Sequence, residues 1–135
     1  MDTKYNIVLY KKNMKKKLTC HCGGVEIEAN IPEPLEKIVR CNCSICKRKG
    51  AIMTLVNSDD IKILKGQEIL KLYQFHSKVA KHYFCSQCGI YTHHNPRSNP
   101  TMYGINIGCI EGINSFEQKD ISIIDGDNHP LDKKK

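Results

Sequence analysis

Apolar and polar residues alternate over short stretches of this chain, which is the pattern of half-buried β-strands. Val25, Ile27 and Ala29, for example, alternate with charged or polar neighbours over residues 25–30. Further strands are predicted over residues 5–10, 38–41, 51–57, 61–64, 68–75, 79–84 and 102–107. No window shows a long period of 3.6 residues. The pattern therefore predicts a mainly β fold with little helix.

Turn-forming residues separate the predicted strands at close intervals. They are Gly23-Gly24, Pro32 with Pro34, residues 57–60, Lys65-Gly66 and residues 95–100. The one predicted helix is a short segment that begins at Ser44, a candidate N-cap, and ends at Gly50. Residues 125–128, Asp-Gly-Asp-Asn, are expected to form a turn, because the glutamate that would close a calcium loop is missing after them.

The chain has 135 residues, which suits a single domain, and a formal net charge of +7. Its excess lysines lie at the ends: residues 1–17 hold six lysines and one acid, and the last four residues hold three lysines and one acid. Residues 18–130 balance 12 bases against 12 acids, so no nucleic-acid partner is expected. We predict a basic segment at 1–17 with room for one edge strand, one domain at 18–128, and a frayed basic C-terminus at 129–135.

The sequence predicts neither a secretion signal nor a membrane span. The apolar stretch at residues 7–10 is too short for a signal-peptide core, and no run approaches the ~20 apolar residues of a membrane span. Residues 1–17 also lack the Arg and Ser of a mitochondrial presequence. We therefore expect a cytoplasmic protein without a membrane partner. In the reducing cytoplasm, clustered cysteines more often bind metal than form disulfides.

Seven of the eight cysteines fall into three short clusters. They are Cys20-His21-Cys22, then Cys41-Asn42-Cys43-Ser44-Ile45-Cys46, then Cys85-Ser86-Gln87-Cys88-Gly89. Thiolates suit zinc, and a tetrahedral ion with Zn–S bonds of about 2.3 Å needs sulfurs roughly 3.8 Å apart. The C-x-x-C-G turn provides that separation, and a C-x-C pair does so where the backbone bends.

A four-thiolate site needs two pairs, so Cys20 and Cys22 are the natural complement of Cys85 and Cys88. Three thiolates then remain in the middle cluster. A closed four-ligand zinc is structural, whereas a three-ligand zinc keeps an open position for water or substrate. The spacing therefore predicts two zinc ions per chain, one structural and one available for chemistry.

Other uses of the cysteines stay open from the sequence. Cys109 would close the middle cluster if it were a fourth ligand, although its apolar neighbours favour a buried free thiol. Disulfides and an iron–sulfur cluster are further alternatives. The order of the three clusters along the chain is a more specific signal than the spacing within any one cluster.

The motifs C-H-C-G-G, C-N-C-S-I-C, H-Y-F-C-S-Q-C-G-I-Y-T-H-H and G-I-N-I-G-C-I-E-G resemble the glutathione-dependent formaldehyde-activating enzyme family, which includes the centromere protein V type. The resemblance runs from about residue 18 to residue 112. It implies a zinc-bearing β-tent fold of short antiparallel strands. It also implies a structural zinc on Cys20, Cys22, Cys85 and Cys88, and a second zinc near the substrate on Cys41, Cys43 and Cys46.

The activity implied by the resemblance is the joining of glutathione to formaldehyde to give S-hydroxymethylglutathione, a carbon–sulfur lyase reaction used in detoxification. Glutathione carries two carboxylates, so basic side chains should lie near the second zinc. The candidate substrate-binding residues are Lys47, Arg48, Arg97 and His94. His93 and His94 match the family's histidine pair, and only one of two adjacent strand residues can face the site.

Two non-enzymatic functions compete with this hypothesis. One is a zinc-stabilised β-tent module that binds another protein without catalysis, because a fold does not fix a function. The other is nucleic-acid or microtubule binding through the lysine-rich ends, against which the neutral central segment argues. For His21, His76, His82 and His129, exposed or packed roles are expected.

Overall fold

The computed structural model of the protein describes residues 12–128, which form two β-sheets and one short helix. The strands are β1 (Lys12–Thr19), β2 (Glu26–Glu33), β3 (Ile38–Cys41), β4 (Met53–Asn57), β5 (Ile61–Lys65), β6 (Leu70–Tyr73), β7 (Lys81–Cys85), β8 (Tyr91–Asn95), β9 (Met102–Asn106) and β10 (Ser122–Ile124). The helix α1 is Ser44–Lys49. This architecture confirms the predicted mainly β fold class. The strand predicted at 5–10 and the C-terminal segment 129–135 lie outside the described residues.

The smaller sheet has three antiparallel strands in the order β1-β2-β5. Alternate residues of β2 are buried, as the alternating pattern predicts. The turn predicted at Pro32 and Pro34 is confirmed at Pro34, where the chain bends, and was wrong at Pro32, because β2 continues to Glu33. Strand β5 pairs with residues 26–29 of β2, and within residues 12–128 no strand pairs with that side of β2 at Pro32, where a missing N–H is tolerated.

Strand β1 shows how a lysine-rich sequence can be ordered. It begins at Lys12 and so crosses the boundary that the sequence placed at residue 17. All eight of its residues pair with β2, and Leu18 is fully buried. Lys16 and Lys17 form ion pairs of 3.4 and 3.6 Å with glutamates of β2, but such surface pairs contribute only about 0–1 kcal/mol. Backbone pairing and the burial of Leu18 therefore hold this strand.

The larger sheet has seven strands in the order β10-β3-β4-β9-β8-β7-β6. Every neighbouring pair is antiparallel except β10 with β3, which is parallel. The alternating pattern did not predict β8 or β10. Strand β8 lies inside the sheet and buries Tyr91, Thr92, His93 and His94. Three of these side chains are polar or charged types, so a hydrophobic pattern cannot reveal that they are buried.

Helix α1 is six residues long, and its N-cap is Cys43 rather than the predicted Ser44. The Cys43 sulfur accepts a hydrogen bond of 3.4 Å from the backbone N–H of Cys46, which is the usual task of a capping oxygen. The helix ends at Gly50, as predicted, and Gly50 adopts the left-handed conformation. In the described part of the chain, no helix has the length and apolar character needed to cross a membrane.

The two sheets share one hydrophobic core. Leu18 and Ile27 of the smaller sheet and Ile105 of the larger sheet are fully buried in it. Cys20 and Cys85 belong to the same cluster, so the cysteines between the sheets are part of the packing. Most of the buried hydrophobic residues are aliphatic.

Gly66, between β5 and β6, packs its backbone against Gly24 in the loop after Cys22. It has φ +85, and a β-carbon there would lie well inside van der Waals contact with the carbonyl oxygen of Gly24. We expect Gly66→Ala to lower the free energy of unfolding by more than Gly112→Ala does. Gly112 has φ +82 and open space around it, so its substitution carries only the backbone cost of about 1–2 kcal/mol.

The steric conflict at Gly66 should add about 1–3 kcal/mol, as overpacking usually does. Urea unfolding of the two variants measures the difference. Equal losses of stability would mean that the contact with Gly24 has no energetic importance.

Candidate active site

Four cysteines meet where the two sheets adjoin. Cys20 and Cys22 follow β1 of the smaller sheet, and Cys85 and Cys88 lie at the end of β7 and in the turn that follows. Their sulfurs all lie within 4.8 Å of one another. Cys22 Sγ is 3.6 Å from Cys20 Sγ and 3.7 Å from Cys85 Sγ. This four-cysteine cluster therefore connects the two sheets.

Backbone N–H groups point at three of these sulfurs. The N–H of Val25 donates to Cys20 Sγ at 3.2 Å, and that of Gly24 donates to Cys22 Sγ at 3.4 Å. The N–H of Gln87 donates to Cys85 Sγ at 3.4 Å. Burial alone would raise the pKa of Cys20, but the hydrogen bond from Val25 and those from two neighbouring thiols lower it, which favours the thiolate that binds metal.

The other three clustered cysteines lie around the start of α1. Cys41 ends β3, Cys43 caps α1, and Cys46 follows one helical turn later, so the last two share one face of the helix. The three sulfurs all lie within 4.8 Å of one another. Hydrogen bonds from Cys41 and Cys46 lower the pKa of Cys43 far below its ordinary value, and bonding to the same two neighbours raises that of Cys46. The cluster thus holds a thiolate readily.

Cys109 lies in neither cluster. Its Sγ is 3.6 Å from the carbonyl oxygen of Tyr91 and 3.6 Å from Asn106 Nδ2. Burial raises the pKa of Cys109 to about 12, so the thiol stays neutral and packs as a small apolar group. All eight cysteines are free thiols in the structure.

Both clusters have the donor chemistry and spacing of a metal site. Sulfurs bound to one tetrahedral zinc lie roughly 3.8 Å apart, and the measured separations of 3.6 and 3.7 Å are close to that value. Soft thiolate ligands suit zinc better than hard cations such as magnesium or calcium. The two clusters, of four and three cysteines, can each hold a metal ion and are consistent with zinc.

A family comparison covers both clusters. The family described as glutathione-dependent formaldehyde-activating enzyme matches residues 15–123. The chain belongs to this family. A crystal structure of a Rhodobacter sphaeroides protein is also similar, with 45% sequence identity and a TM-score of 0.76 over 80% of this chain and 99% of that one. The family resemblance predicted from the cysteine motifs is thereby confirmed.

In this member of the formaldehyde-activating family, a cavity of about 280 Å³ borders the three-cysteine cluster. Cys41, Cys43 and Cys46 all line it. Much of the remaining wall is apolar, with side chains that include Val39, Met53, Leu55 and Phe75. The four-cysteine cluster does not line this cavity. Of the two clusters, the three-cysteine cluster is the one that borders this cavity.

The predicted substrate-binding residues divide into two groups. His94 and Arg97 line the cavity. Lys47 and Arg48 are exposed on α1 and do not line it, and Arg48 donates to the carbonyl oxygen of Ser44 at 2.7 Å. His93 lies away from the cavity and stacks on Tyr83 with ring centroids 4.6 Å apart. Of the two adjacent histidines, only His94 faces the cavity, in agreement with strand alternation.

Three further residues beside the cavity are not among the four predicted substrate-binding residues: Lys49, His82 and Tyr91. Lys49 Nζ is 2.8 Å from His82 Nδ1 and 3.6 Å from the centroid of the Tyr91 ring. Tyr91 Oη is 2.6 Å from His94 Nδ1, and the His82 and His94 rings stack with centroids 5.3 Å apart. Strands β7 and β8 pair His82 with His94, so a prediction of β8 would have signalled this contact.

Burial sets the charge of these groups. It lowers the pKa of His94 to about 3 and that of His82 to about 4, and the nearby Lys49 ammonium acts in the same direction. Burial also lowers the pKa of Lys49 to about 8. At pH 7 the cavity is thus lined by two neutral imidazoles, each with one ring nitrogen not engaged by Tyr91 or Lys49. Neutral imidazoles can both accept and donate a proton.

Proposed function

We propose that the protein is a zinc-dependent carbon–sulfur lyase-type enzyme that acts on glutathione and formaldehyde, or on a related thiol adduct, and so detoxifies formaldehyde. One observation carries the proposal: a cluster of three cysteines, with Cys109 elsewhere, lines a cavity of about 280 Å³. Membership of the formaldehyde-activating family supports the same chemistry. The product in the synthetic direction is S-hydroxymethylglutathione.

The two cysteine clusters would bind two zinc ions with different roles. Cys20, Cys22, Cys85 and Cys88 would hold a structural zinc, and Cys41, Cys43 and Cys46 would hold the second. Bound to three thiolates, zinc would keep an open coordination position that favours the thiolate form of an incoming thiol. The catalytic contribution of Cys41, Cys43 and Cys46 is made through that ion.

The remaining chemistry needs binding, orientation and one proton transfer. A carbon–sulfur bond forms between the thiol sulfur and the formaldehyde carbon, the C=O π electrons move to oxygen, and the thiol proton ends on that oxygen. His82 and His94 line the cavity as neutral imidazoles, and the ring nitrogen left free on either can carry this proton. The Arg97 guanidinium pairs with a carboxylate of the substrate. Apolar walls exclude water from the reacting atoms.

Exchange NMR of ¹³C-formaldehyde with glutathione tests the activity. We expect the wild-type protein to raise the exchange rate above that of a sample without protein, and Cys43→Ser to return it to the uncatalysed rate. The sample without protein is essential because thiol and formaldehyde also combine unaided. Cys109→Ser is the matched control, since it removes a buried sulfur outside both clusters, and it should keep the wild-type rate.

Metal analysis of the same samples completes the test. Two zinc ions per wild-type chain and one per Cys43→Ser chain are expected. Two bound ions with no exchange above the uncatalysed rate would favour the non-catalytic interaction module instead. A wild-type rate equal to that of Cys43→Ser would overturn the enzymatic proposal.

A further inference from the structure

The turn at residues 125–128 lies against the three-cysteine cluster. It follows β10 and ends in the short 3-10 helix Gly126–Asn128. Gly126 is buried and lines the cavity together with Cys41, Cys43 and Cys46. The family match ends at residue 123, so this turn lies beyond the matched part of the chain.

Gly126 leaves no room for a side chain. A β-carbon at this position would lie 2.5 Å from Cys41 Sγ and 3.0 Å from Cys43 Cβ. The φ of Gly126 is outside the left-handed region, so its backbone conformation is open to other residues. The requirement for glycine therefore comes from contact with the two cysteines, not from the shape of the turn.

Asn42, between those two cysteines in sequence, holds the turn in place. Its Nδ2 donates to Asp125 Oδ1 at 3.1 Å, and its Oδ1 accepts from the backbone N–H of Asp127 at 2.9 Å. Its own backbone N–H donates to the carbonyl oxygen of Ile124 at 3.1 Å. On the far side, Arg97 Nη2 donates to the carbonyl oxygen of Gly126 at 3.0 Å. Both the cysteine loop and the cavity wall thus fix the turn.

We propose that the turn at residues 125–128 is a positioning element for the three-cysteine metal site. Asn42 ties the turn to the cysteine loop, and Gly126 packs against Cys41 so that its sulfur stays beside those of Cys43 and Cys46. The inference rests on the proposed function only in that the three cysteines bind metal. Asn42 and Gly126 are positioning residues, because they act through the cysteines rather than on the substrate.

Gly126→Ala should weaken metal binding at the three-cysteine cluster by about 10–100-fold, the usual effect of losing a group that supports a metal ligand. The four-cysteine cluster should keep its affinity. The measurements are chelator competition and, on cobalt-loaded protein, the thiolate-to-cobalt absorption of the second site. Gly108→Ala is the matched control: Gly108 is exposed, also lacks a left-handed φ, and its β-carbon would meet only the Asn106 side chain at 3.3 Å.

Asn42 gives an independent test with a rescue. Asn42→Ala should shift affinity and the cobalt absorption in the same direction as Gly126→Ala. The double variant Asn42→Asp with Asp125→Asn exchanges amide and carboxylate across the contact, so an amide still faces a carboxylate. It should restore metal affinity at least in part, whereas Asn42→Asp alone brings two carboxylates together and should not.

The outcomes separate this inference from the proposed function. Wild-type affinity and absorption in both Gly126→Ala and Asn42→Ala would overturn it. If the wild-type chain holds only one metal ion, the zinc-dependent function fails. Whether the turn positions Cys41 is then tested by the rate at which iodoacetamide alkylates Cys41, measured by mass spectrometry. Faster alkylation in either variant supports positioning, and wild-type rates in both overturn it. If Gly126→Ala does not fold, Asn42→Ala decides.

Discussion

Removing the metal from the four-cysteine cluster is expected to unfold the protein. The cluster connects the two sheets, and Cys20 and Cys85 are only 3% and 0% exposed. Without a cation, no metal bonds join the four sulfurs, and any that are ionised repel because all lie within 4.8 Å of one another. Structural zinc contributes about 10–16 kcal/mol of apparent binding free energy, which equals or exceeds the stability of about 5–15 kcal/mol of an ordinary domain.

A thermal melt followed by circular dichroism, with and without excess chelator, measures this effect. Cys85→Ser should remove the cooperative transition even without chelator. Cys109→Ser should lose only about 0.5–3 kcal/mol, because Cys109 is also buried but belongs to neither cluster. Cys43→Ser should also keep a cooperative melt. A transition at the same temperature in excess chelator would show that the fold does not depend on the metal.

Acid is expected to destabilise the protein through its buried histidines. Burial lowers the pKa of His93 to about 4, whereas an unfolded chain titrates near 6.5. Between about pH 6.5 and pH 4, His93 is protonated in the unfolded state but neutral in the folded state. The free energy of unfolding therefore falls as the pH falls. The contribution of His93 is complete above pH 6.5 and is progressively lost down to about pH 4. At about 1.4 kcal/mol per pKa unit, the loss at pH 5 is about 2 kcal/mol.

The variant His93→Phe isolates this contribution, because it keeps a ring to stack on Tyr83 but cannot take up the proton. Urea unfolding at pH 7 and pH 5 should show a pH dependence smaller than that of the wild type by about 2 kcal/mol. His82 and His94 act in the same direction and remain in both proteins. His76→Asn, at an exposed position, should leave the dependence unchanged. Equal pH dependence in wild type and His93→Phe would contradict the assignment.

The cysteine partition was predictable because local spacing carries most of its information. The C-x-x-C-G turn at Cys85 and the C-x-C pair at Cys20 each place two sulfurs at zinc-binding separation without help from the rest of the fold. Cys85 and Cys88 form the C-x-x-C pair outside the middle cluster, which made Cys20 and Cys22 their natural complement, while the sequence left open whether Cys109 closes the middle cluster. The structure brings the same seven cysteines together in groups of four and three.

The cavity wall was predictable only in part. Arg97 and His94 were named from charge and from a family motif, and both line the cavity. Lys47 and Arg48 were named from the same basic run as Lys49, yet only Lys49 turns inward to His82 and Tyr91. A helix of six residues is too short for a periodic pattern to show which of three adjacent basic residues turns inward.

The sequence by itself determined the mainly β class, the family and the division of the cysteines, because strand alternation and ligand spacing are properties of a few neighbouring residues. Tertiary structure alone decided that β8 would bury polar side chains, since neighbouring strands supply contacts to them: the Tyr91 hydroxyl donates to Met53 Sδ of β4 and to the Gly104 carbonyl oxygen of β9, and His82 of β7 stacks on His94. It alone also placed Gly126 against Cys41, 85 residues away in the chain. The contact between Gly126 and Cys41 depends on the pairing of β10 with β3. The sequence pattern of neighbouring residues does not predict that pairing.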